Sequence, residues 1–440
     1  MGKTFSEKIL AAKAGLDEVE PGLIVEVIPD VAMSHDNTAA ISKTFEKIGV
    51  DKLYDPDIHL IVLDHCVPPA NETFANNHKT IREFVKKHGI KHFYDIHHGI
   101  CHQVMAENGH CLPGTVMTGS DSHSTTYGAF GAFGTGVTRS ETAVIMATGK
   151  IWFRVPETMR LDITGSLSEG VYVKDLALHI AGKIGADGGL YRAMEFTGPF
   201  ASAMTVSERM TLCNMAAEMG AKIGYVPPDA TVFNYLKGRA QKEYTPVYSD
   251  PDANYEEVVE INVNALEPQV ACPHTVDNVK PVGEVVGEHL EQVFVGSCTN
   301  ARLDDLAIVA HVLRGKKIHP DTRLVVIPAS SKVMLDAMNL GYIQAIVSAG
   351  GTLATPGCGP CMGNHLGVPA NNERTLSTTN RNFRGRMGNR ESEVFLGSPH
   401  MAAVSALHGK IADPREAPVD MDVIREELKG AKLSPVIVTA

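Results

Sequence analysis

Short apolar stretches alternate with amphipathic stretches along most of the chain, which predicts repeated strand–loop–helix units. The run Ile58–Asp64 (IHLIVLD) stays apolar almost to its end, as is typical of a strand buried on both faces of a parallel sheet. Apolar positions recur at helical spacing in Phe5–Ala14, Ala39–Ile48 and Asn76–His88. The pattern therefore predicts an α/β protein.

Two changes in the residue pattern divide the chain into three predicted α/β domains. A new strand–turn–helix pattern begins after Val155-Pro156, and the proline-interrupted stretch 267–284 is predicted to be a linker. Beyond about residue 415 the pattern supports one helix and a short strand, so no further α/β domain is expected there. The predicted domains are residues 1–157, 158–284 and 285–440.

Composition narrows the classes of partner and compartment. The chain has 440 residues, a net charge of −11 and eight cysteines. The acidic balance disfavours nucleic acid and anionic membranes as partners, so an anionic substrate would need a local basic cluster. No apolar run approaches the ~20 residues of a membrane span, and no signal peptide is visible at the N-terminus. Together with a cysteine usage typical of reducing compartments, these features predict a cytoplasmic protein.

Three cysteines lie in loops of small residues. Cys298 stands in VFVGSCTN, and Cys358 and Cys361 stand three positions apart in TPGCGPCMG. A glycine-rich loop can turn two thiolates toward one centre, and a third thiolate can reach that centre from another loop. Three thiolates favour zinc or an iron–sulfur cluster. A redox dithiol and buried inert cysteines are the alternatives.

Polar residues follow two predicted strands. Asp64 and His65 end the run at Ile58–Asp64, and Asp121, Ser122 and His123 follow the predicted strand TVMTG. In open α/β folds, ligands bind at the carboxyl ends of strands. The small residues after His123 would let backbone amides approach an anion, although their spacing matches no nucleotide-binding motif. Packed or capping side chains are the alternative interpretation.

Two further features have both a functional and a structural interpretation. His97, His98 and His102 form a cluster that would suit a metal, or equally a solvated helix start. Glu195 lies in a β-like run among apolar and aromatic residues, where a buried carboxyl group would have a raised pKa. Most glutamates are solvated, so this signal is weak by itself.

A basic cluster follows the last cysteine pair. It consists of four arginines within ten residues: Arg381, Arg384, Arg386 and Arg390. An arginine side chain binds a carboxylate through two parallel hydrogen bonds, which would suit an anionic substrate. A solvated basic loop is the alternative.

These motifs, in this order and over essentially the whole chain, resemble those of the aconitase superfamily. The resemblance implies three α/β domains of the aconitase type around a central iron–sulfur cluster. Single-chain aconitases continue into a mobile fourth domain, which is expected to be absent here. The matching motifs are LDH at 63–65, HQ at 102–103, GSDSH at 119–123, VGSCTN at 295–300, GCGPC at 357–361 and NRNFRGR at 380–386.

The resemblance also implies roles for particular residues. Cys298, Cys358 and Cys361 would ligate a [4Fe–4S] cluster. Catalytic roles next to the substrate are implied for Asp64, His65, His102, Asp121, His123 and Glu195. Substrate binding is implied for His35, Ser122, Asn380, Arg381 and Arg386, although His35 stands where mitochondrial-type aconitases carry Gln.

The implied activity is dehydration of a malate-type hydroxy acid, a small dicarboxylate or tricarboxylate, followed by rehydration in the isomerases. The chain resembles the large subunit of a two-subunit hydro-lyase whose small subunit supplies the mobile domain. The foremost candidate is 3-isopropylmalate dehydratase of leucine biosynthesis, and homoaconitase and 2,3-dimethylmalate or methylmalate dehydratase are the alternatives. From other classes, a zinc-bound structural protein and an RNA-binding regulator in the cluster-free form remain; the acidic charge and the lack of basic–aromatic stripes disfavour the latter.

Overall fold

The computed structural model describes residues 2–431 and 433–434, and the strand predicted for the last residues lies outside them. The described chain forms three large sheets, flanked by helices, that follow one another along the sequence. This confirms the α/β class. No described helix combines the length and the apolar character that crossing a membrane requires.

The first sheet has five parallel strands, in the order β4-β3-β2-β5-β6, beside an antiparallel ribbon of β1 and β7. Every residue of β2, β3 and β5 is buried, as expected for a sheet covered on both faces. The strands are β1 (Ile24–Val27), β2 (Val31–Ser34), β3 (His59–Val62), β4 (His92–Tyr94), β5 (Val116–Gly119), β6 (Phe133–Gly136) and β7 (Ile151–Arg154). The helices are α1 (Phe5–Ala14), α2 (Thr38–Ile48), α3 (Glu72–His88), α4 (Cys101–Glu107) and α5 (Arg139–Thr148).

The second sheet has four parallel strands, in the order β10-β9-β8-β11. Its strands are β8 (Thr158–Thr164), β9 (Ala193–Thr197), β10 (Ile223–Tyr225) and β11 (Glu257–Asn262). Its helices are α6 (Val173–Ile184), α7 (Gly198–Ala203), α8 (Val206–Ala216) and α9 (Ala230–Leu236).

Helix α8 is buried over most of its surface. Nine of its eleven residues are buried, including Arg209 and Asn214. It packs against α6 and against the 3₁₀ segment Ser122–Phe130, which follows β5 of the first sheet. Polar side chains on α8 are therefore held inside the molecule, between the first two sheets.

The third sheet has seven strands, in the order β13-β12-β18-β17-β14-β15-β16, and is parallel except for the pairs that involve β12. Its strands are β12 (Gln269–Ala271), β13 (Val279–Pro281), β14 (Gln292–Val295), β15 (Arg323–Val326), β16 (Thr352–Leu353), β17 (Arg374–Ser377) and β18 (Glu393–Leu396). Its helices are α10 (Leu303–Leu313), α11 (Ser331–Asn339), α12 (Tyr342–Ser348), α13 (Pro399–His408) and α14 (Met421–Gly430).

The stretch 267–284, predicted to be a linker, forms β12 and β13 of this third sheet. Ala271 pairs with Leu396 of β18 in antiparallel register, so the segment is fixed by a ladder to a distant part of the chain. Both strands precede the predicted domain boundary at residue 284. Proline punctuates this segment without preventing it from pairing, because β12 itself contains no proline.

The three sheets share one interior. A single cluster of buried apolar residues includes Met33 of the first sheet, Met194 of the second and Leu396 of the third. Most of the candidate site residues lie in the loops after β3, β5, β14, β16 and β17, at the carboxyl ends of parallel strands. The shared interior holds these loops against one another.

Candidate active site

The structure brings the three predicted cysteines to one cleft. Asp64, His65, His102, Asp121 and His123 line the same cleft, together with Asn380 and Arg386. These residues come from loops of the first and third sheets that are up to three hundred positions apart in the sequence. The prediction that they belong to one site is therefore in accord with the geometry.

The loop of Cys358 and Cys361 packs directly against the loop of Asp64. The backbone N–H of Cys358 donates to the carbonyl oxygen of Asp64 at 2.9 Å. Gly357 permits this approach, because a Cβ atom there would lie 2.9 Å from the same oxygen and 2.8 Å from Val67 Cγ2. The glycine next to the first cysteine of the pair thus couples the thiol loop to the Asp64–His65 loop.

Two amide groups donate to the sulfur of Cys298. Asn214 Nδ2 lies 3.2 Å from Cys298 Sγ, and Asn380 Nδ2 lies 3.3 Å from it. On the other side of the cleft, Arg386 Nη2 lies 3.5 Å from Cys361 Sγ. Donors aimed at sulfur stabilise thiolates, which are the form that binds metals. Burial raises the pKa of Cys298 to about 12, so these thiolates need nearby positive charge such as a bound metal centre.

The spacing of the sulfurs suits a cluster better than a single ion. Three thiolates on one zinc ion would lie about 4 Å from one another, since each Zn–S bond is about 2.3 Å long. Among the described residues, one set of three or more His, Cys, Asp or Glu ligand atoms comes within 4.8 Å of one another, and it contains no cysteine. The thiols therefore surround a larger volume, and the residues present fit an iron–sulfur cluster.

His65 is held between two carboxylates. Its Nδ1 lies 2.5 Å from Asp64 Oδ1, and its Nε2 lies 3.5 Å from Asp121 Oδ2. Burial by itself would lower the pKa of His65, but the charges of Asp64 and of a Cys358 thiolate, together with hydrogen bonds to Asp121 and Asp64, outweigh it and raise this pKa well above its usual range. The arrangement holds His65 as an imidazolium.

Asp121 is held in its ionised form by the histidines around it. His102 Nε2 lies 3.0 Å from Asp121 Oδ1, which also accepts the backbone N–H of His123 at 2.8 Å. Burial would raise the pKa of Asp121, but the hydrogen bonds from His102, His123 and His65 hold this pKa well below its usual range. Asp121 thus orients three imidazole rings at the cleft.

Glu218 extends this network, and the sequence analysis missed it. Its Oε1 lies 2.6 Å from His123 Nε2 and 2.7 Å from Arg381 Nε. Arg381 Nη2 donates in turn to Ser122 Oγ at 2.9 Å. Despite burial, these partners lower the pKa of Glu218. Ser122, His123 and Arg381 are therefore brought together by a carboxylate at the end of the buried helix α8.

Glu195 does not belong to this cleft, so the prediction for it is corrected. It lies on β9, and its carboxylate accepts hydrogen bonds from Ser249 Oγ at 2.7 Å and Tyr255 OH at 3.3 Å. Its burial raises its pKa, as expected from the sequence. Burial alone did not reveal which side of the sheet the carboxyl group faces. In the sequence, Asn214 and Glu218 are polar residues four positions apart in an apolar helical stretch, and this spacing is the signal that could have pointed to Glu218.

The histidine cluster predicted around His97 divides in the structure. His102 turns into the cleft, whereas the rings of His97 and His98 pack against each other with centroids 4.1 Å apart. His35 packs its ring against that of His65, with centroids 3.9 Å apart. Burial, followed by the charge on His65, lowers the pKa of His35 to about 4, and its Nδ1 has no hydrogen-bond partner among the described residues.

Asp36 fixes the loop that carries Asp64 and His65. Its Oδ2 accepts the backbone N–H groups of Asp64 at 2.9 Å and His65 at 2.8 Å. Its Oδ1 accepts from Cys66 N at 3.2 Å and lies 2.7 Å from His78 Nε2. Although His35, Asp36, Asp64 and His65 are spaced closely enough for a metal ion, both carboxylates are already occupied by hydrogen-bond donors. Asp36 is therefore a positioning residue.

Comparison with known proteins agrees with this site. The profile of the Aconitase family (aconitate hydratase) matches residues 7–291 and 283–409. The 3-isopropylmalate dehydratase large subunit 1 of Methanopyrus kandleri is 52% identical over 416 residues, which cover 94% of this chain and 99% of that protein. The probable methanogen homoaconitase large subunit of Methanosarcina mazei is 52% identical over 388 residues, which cover 88% and 98% respectively.

Two further similarities complete the comparison. The 3-isopropylmalate dehydratase large subunit of Hydrogenobaculum sp. is 47% identical over 417 residues, covering 94% of this chain and 98% of that protein. Among solved structures, holo aconitase X of Thermococcus kodakaraensis covers 85% of this chain and 87% of its own, at a TM-score of 0.48 and 14% identity. Relatives at equal identity carry two different substrate names, so overall similarity does not choose between those substrates.

Replacing Asp36 by Asn should destabilise the fold around the cleft. The variant loses a buried carboxylate with four donors, and we expect the free energy of unfolding to fall by about 2–4 kcal/mol. Some of the amides of Asp64, His65 and Cys66 should also exchange hydrogen faster, because Asn has one acceptor oxygen where Asp has two, and its NH2 group cannot accept from a backbone N–H. Urea unfolding and hydrogen exchange at pH 7 measure both effects. The control is Asp57→Asn, which breaks an exposed pair with Lys91 and should cost under about 0.5 kcal/mol.

The same variant has an expected pH dependence. Hydrogen bonds to the charged form, led by that from His78, lower the pKa of Asp36 well below its usual range even though burial acts in the opposite direction. Its contribution to stability is therefore complete above the unfolded-state pKa of about 3.9 and is lost as the pH falls toward the lower folded-state value. The stability difference between wild type and Asp36→Asn should be constant near neutral pH and shrink in acid. A difference that grows on acidification would contradict this role.

Proposed function

We propose that this chain, which belongs to the aconitase family, is the large subunit of an iron–sulfur hydro-lyase that dehydrates and isomerises a malate-type hydroxy acid, foremost 3-isopropylmalate. One observation carries the proposal: a single cleft brings together three thiols, the carboxylate–histidine sets of Asp64 and Asp121, and Arg386. The names of the relatives from Methanopyrus and Hydrogenobaculum support the substrate and the term large subunit. A cytoplasmic location is part of the proposal.

Cys298, Cys358 and Cys361 would hold the cluster, which we propose to be of the [4Fe–4S] type. When bound, such a cluster would supply a Lewis-acidic iron that polarises the leaving hydroxyl group. The protein contributes the sulfur donors and the amide groups of Asn214 and Asn380 on Cys298. Three protein thiols leave one corner of a four-iron cluster without a cysteine, which is where a substrate would bind.

Proton transfer would fall to the histidines of the cleft. His65, held as an imidazolium by Asp64 and Asp121, can donate a proton to a departing hydroxyl group. Asp121 orients His102 as well, whose Nδ1 lies 3.1 Å from Tyr127 OH. Both nitrogens of each ring therefore have a defined partner, which keeps the ring positioned when a substrate enters.

Binding of the substrate carboxylates would fall to the arginine loop. Arg386 reaches the cleft, and its Nε is buried without a hydrogen-bond partner among the described residues. A buried donor without a partner indicates a polar ligand. Arg381 is already engaged by Glu218 and Ser122, so it would bind a carboxylate from a fixed position. Asn380, bonded to Asn214 and Cys298, would complete this wall of the cleft.

A tricarboxylate such as homoaconitate is a second candidate substrate. A separate cavity adjoins the cleft at His65 and is lined by His35, Lys43 and Arg139. Neither Lys43 nor Arg139 has a carboxylate partner among the ion pairs of the described residues. These cations could receive an additional carboxylate, and the Methanosarcina relative is named as a probable homoaconitase. Dimethylmalate and methylmalate remain further alternatives.

A small partner subunit would complete the site. The relatives are named large subunits, and the matched region covers 99% of the Methanopyrus protein. In the chain alone the catalytic groups reach the surface, since the side chains of His65 and Asp121 are 12% and 15% exposed. A partner that closes the cleft would exclude water and strengthen the electrostatic interactions within it.

Glu218 and Glu195 provide a matched pair of substitutions. Glu218→Gln removes the charge that holds His123 and Arg381, and we expect kcat/KM to fall about 10–100-fold. Glu195→Gln makes the same chemical change outside the cleft and should leave kcat/KM near that of wild type. Steady-state assays of both variants, reconstituted under anaerobic conditions with partner, measure the difference. Equal losses in the two variants would show that Glu218 has no special role.

The cysteines provide the test of the cofactor. After anaerobic reconstitution, Cys298→Ser, Cys358→Ser and Cys361→Ser should each lose most iron and sulfide relative to wild type, because each removes a ligand. Cys101→Ser is the stringent control, because Cys101 lines the same cleft, and Cys111→Ser is a distant one. Iron loss in Cys101→Ser as complete as in Cys358→Ser would overturn the assignment. Zinc without sulfide in the wild type would overturn the cluster itself.

The proposed reaction is tested with the partner. The cluster-loaded chain is assayed on 3-isopropylmalate, homoaconitate and 2,3-dimethylmalate, with and without a small subunit from a relative's complex. We expect the partner to raise kcat from near zero, whereas a partner that only improved substrate binding would change mainly KM. Full turnover by the isolated chain would refute the need for a partner. No turnover of any of the three acids by the complex would refute the proposed reaction.

A further inference from the structure

Lys174 is a buried cation for which the proposed reaction has no use. It lies in the first turn of α6, and its side chain is 1% exposed. Its Nζ donates to the carbonyl oxygens of Thr378 at 3.1 Å and Thr379 at 2.5 Å, and contacts Met215 Sδ at 3.8 Å. These are neutral acceptors. The burial of an ammonium group without a carboxylate partner is costly, so its presence requires an explanation.

Four buried side chains in the described chain belong to lysine or arginine: Lys174, Arg209, Arg302 and Lys332. Two of them have a carboxylate at close range. Arg209 Nη2 lies 2.6 Å from Asp229 Oδ2, and Lys332 Nζ lies 2.6 Å from Asp336 Oδ2. The side chains of Lys174 and Arg302 have no carboxylate oxygen within 4.0 Å among the described residues.

Arg302 packs against the loop of Cys298, and Lys174 lies beside residues next to the donors to the Cys298 sulfur. Arg302 donates from Nη1 to the carbonyl oxygen of Cys298 at 3.1 Å and from Nη2 to that of Thr299 at 2.6 Å. Lys174 contacts Met215, which follows Asn214, and Thr379, which precedes Asn380. These two asparagines donate to Cys298 Sγ. The two cations thus approach the same thiol from different elements, α6 and the start of α10.

We propose that Lys174 and Arg302 form a buried cationic pair that compensates the negative charge of a thiolate-bound cluster and thereby sets its reduction potential and its retention. The inference rests on the proposed iron–sulfur cluster. Three thiolates bring three negative charges into a buried site, and the potential of such a cluster depends on the net charge around it. Burial lowers the pKa of Lys174 to about 7, and the negative charge of a Cys298 thiolate, followed by those of Glu218, Asp175 and Asp305, opposes this lowering and favours the ammonium form. The two cations act through charge and are positioning residues, since neither is placed against the substrate.

The test separates the effect of the charge at position 174 from the effect of its hydrogen bonds. Lys174→Gln keeps amide donors for the carbonyls of Thr378 and Thr379 but removes the charge, whereas Lys174→Arg keeps the charge. The reduction potential of the reconstituted cluster is measured by anaerobic spectroelectrochemistry, and cluster retention by the rate of iron release to a chelator. We expect Lys174→Gln to lower the reduced-to-oxidised ratio at fixed potential at least tenfold, which is about 59 mV for one electron. Lys174→Arg should stay close to wild type in both measurements.

Arg302→Gln and Lys222→Gln complete the design. Arg302→Gln should shift the potential in the same direction as Lys174→Gln. Lys222 is a matched control, because its ammonium group also lacks a carboxylate within 4.0 Å among the described ion pairs but lies over the rings of Phe153 and Tyr191, at 4.8 and 5.4 Å from their centroids. Lys222→Gln should leave the potential unchanged.

Every other outcome contradicts either this inference or the proposed function. An unchanged potential in Lys174→Gln, or an equal shift in Lys174→Arg, overturns the role of the charge. Failure of both neutral variants to fold without the cluster, with Lys174→Arg folded, also overturns it, because the cations would then serve the fold and not the cluster. A wild-type chain that holds no iron and sulfide instead defeats the proposed function, and is thereby distinguished from a failure of this inference.

Discussion

This site depends on one constraint: each carboxylate around the cleft must accept hydrogen bonds from a donor. Asp36, Asp64, Asp121 and Glu218 all lie at or beside one cleft. Asp64 is fully buried and the side chains of the other three are mostly shielded from water, so an unpaired negative charge there would be costly. Each is bound by backbone N–H groups, imidazole rings or a guanidinium group. The contacts that compensate the charge of the carboxylates therefore also fix the histidines. The geometry of the catalytic groups and the local stability thus have the same physical origin.

Three sheets with a common interior make these contacts possible. The loops after β3 and β5 supply Asp64, His65 and Asp121, and the loops after β14 and β17 supply Cys298 and Asn380. Helix α8 is buried between the first two sheets, and its Asn214 donates a hydrogen bond to the sulfur of Cys298. Glu218, in the turn after α8, forms a hydrogen bond with His123. A helix with one face exposed to solvent could not place polar groups on both sides in this way.

The described site accounts for the chemical class of the substrate better than for one particular substrate. The cleft holds features that any member of this family would need to bind a hydroxy acid: thiols, an imidazolium, and an arginine with a free donor atom. Selection of the side group would depend on whatever closes the cleft and on the adjoining cavity with Lys43 and Arg139. That division agrees with relatives of equal identity that carry different substrate names.

The sequence by itself determined the elements and the main reactive groups. Helices such as α1 and α10 and strands such as β3 were predictable because their apolar periodicity is local, and Cys298, Cys358 and Cys361 stood out because short glycine-rich motifs mark them. Only the tertiary structure decided which buried glutamate serves the cleft: Glu195 and Glu218 are both shielded from water, yet one faces Ser249 and the other His123. It likewise revealed that Asp36 supports the His65 loop and that 267–284 pairs with β18. These facts depend on contacts between residues far apart in the chain, and neither periodicity nor local composition records the direction in which a buried side chain points.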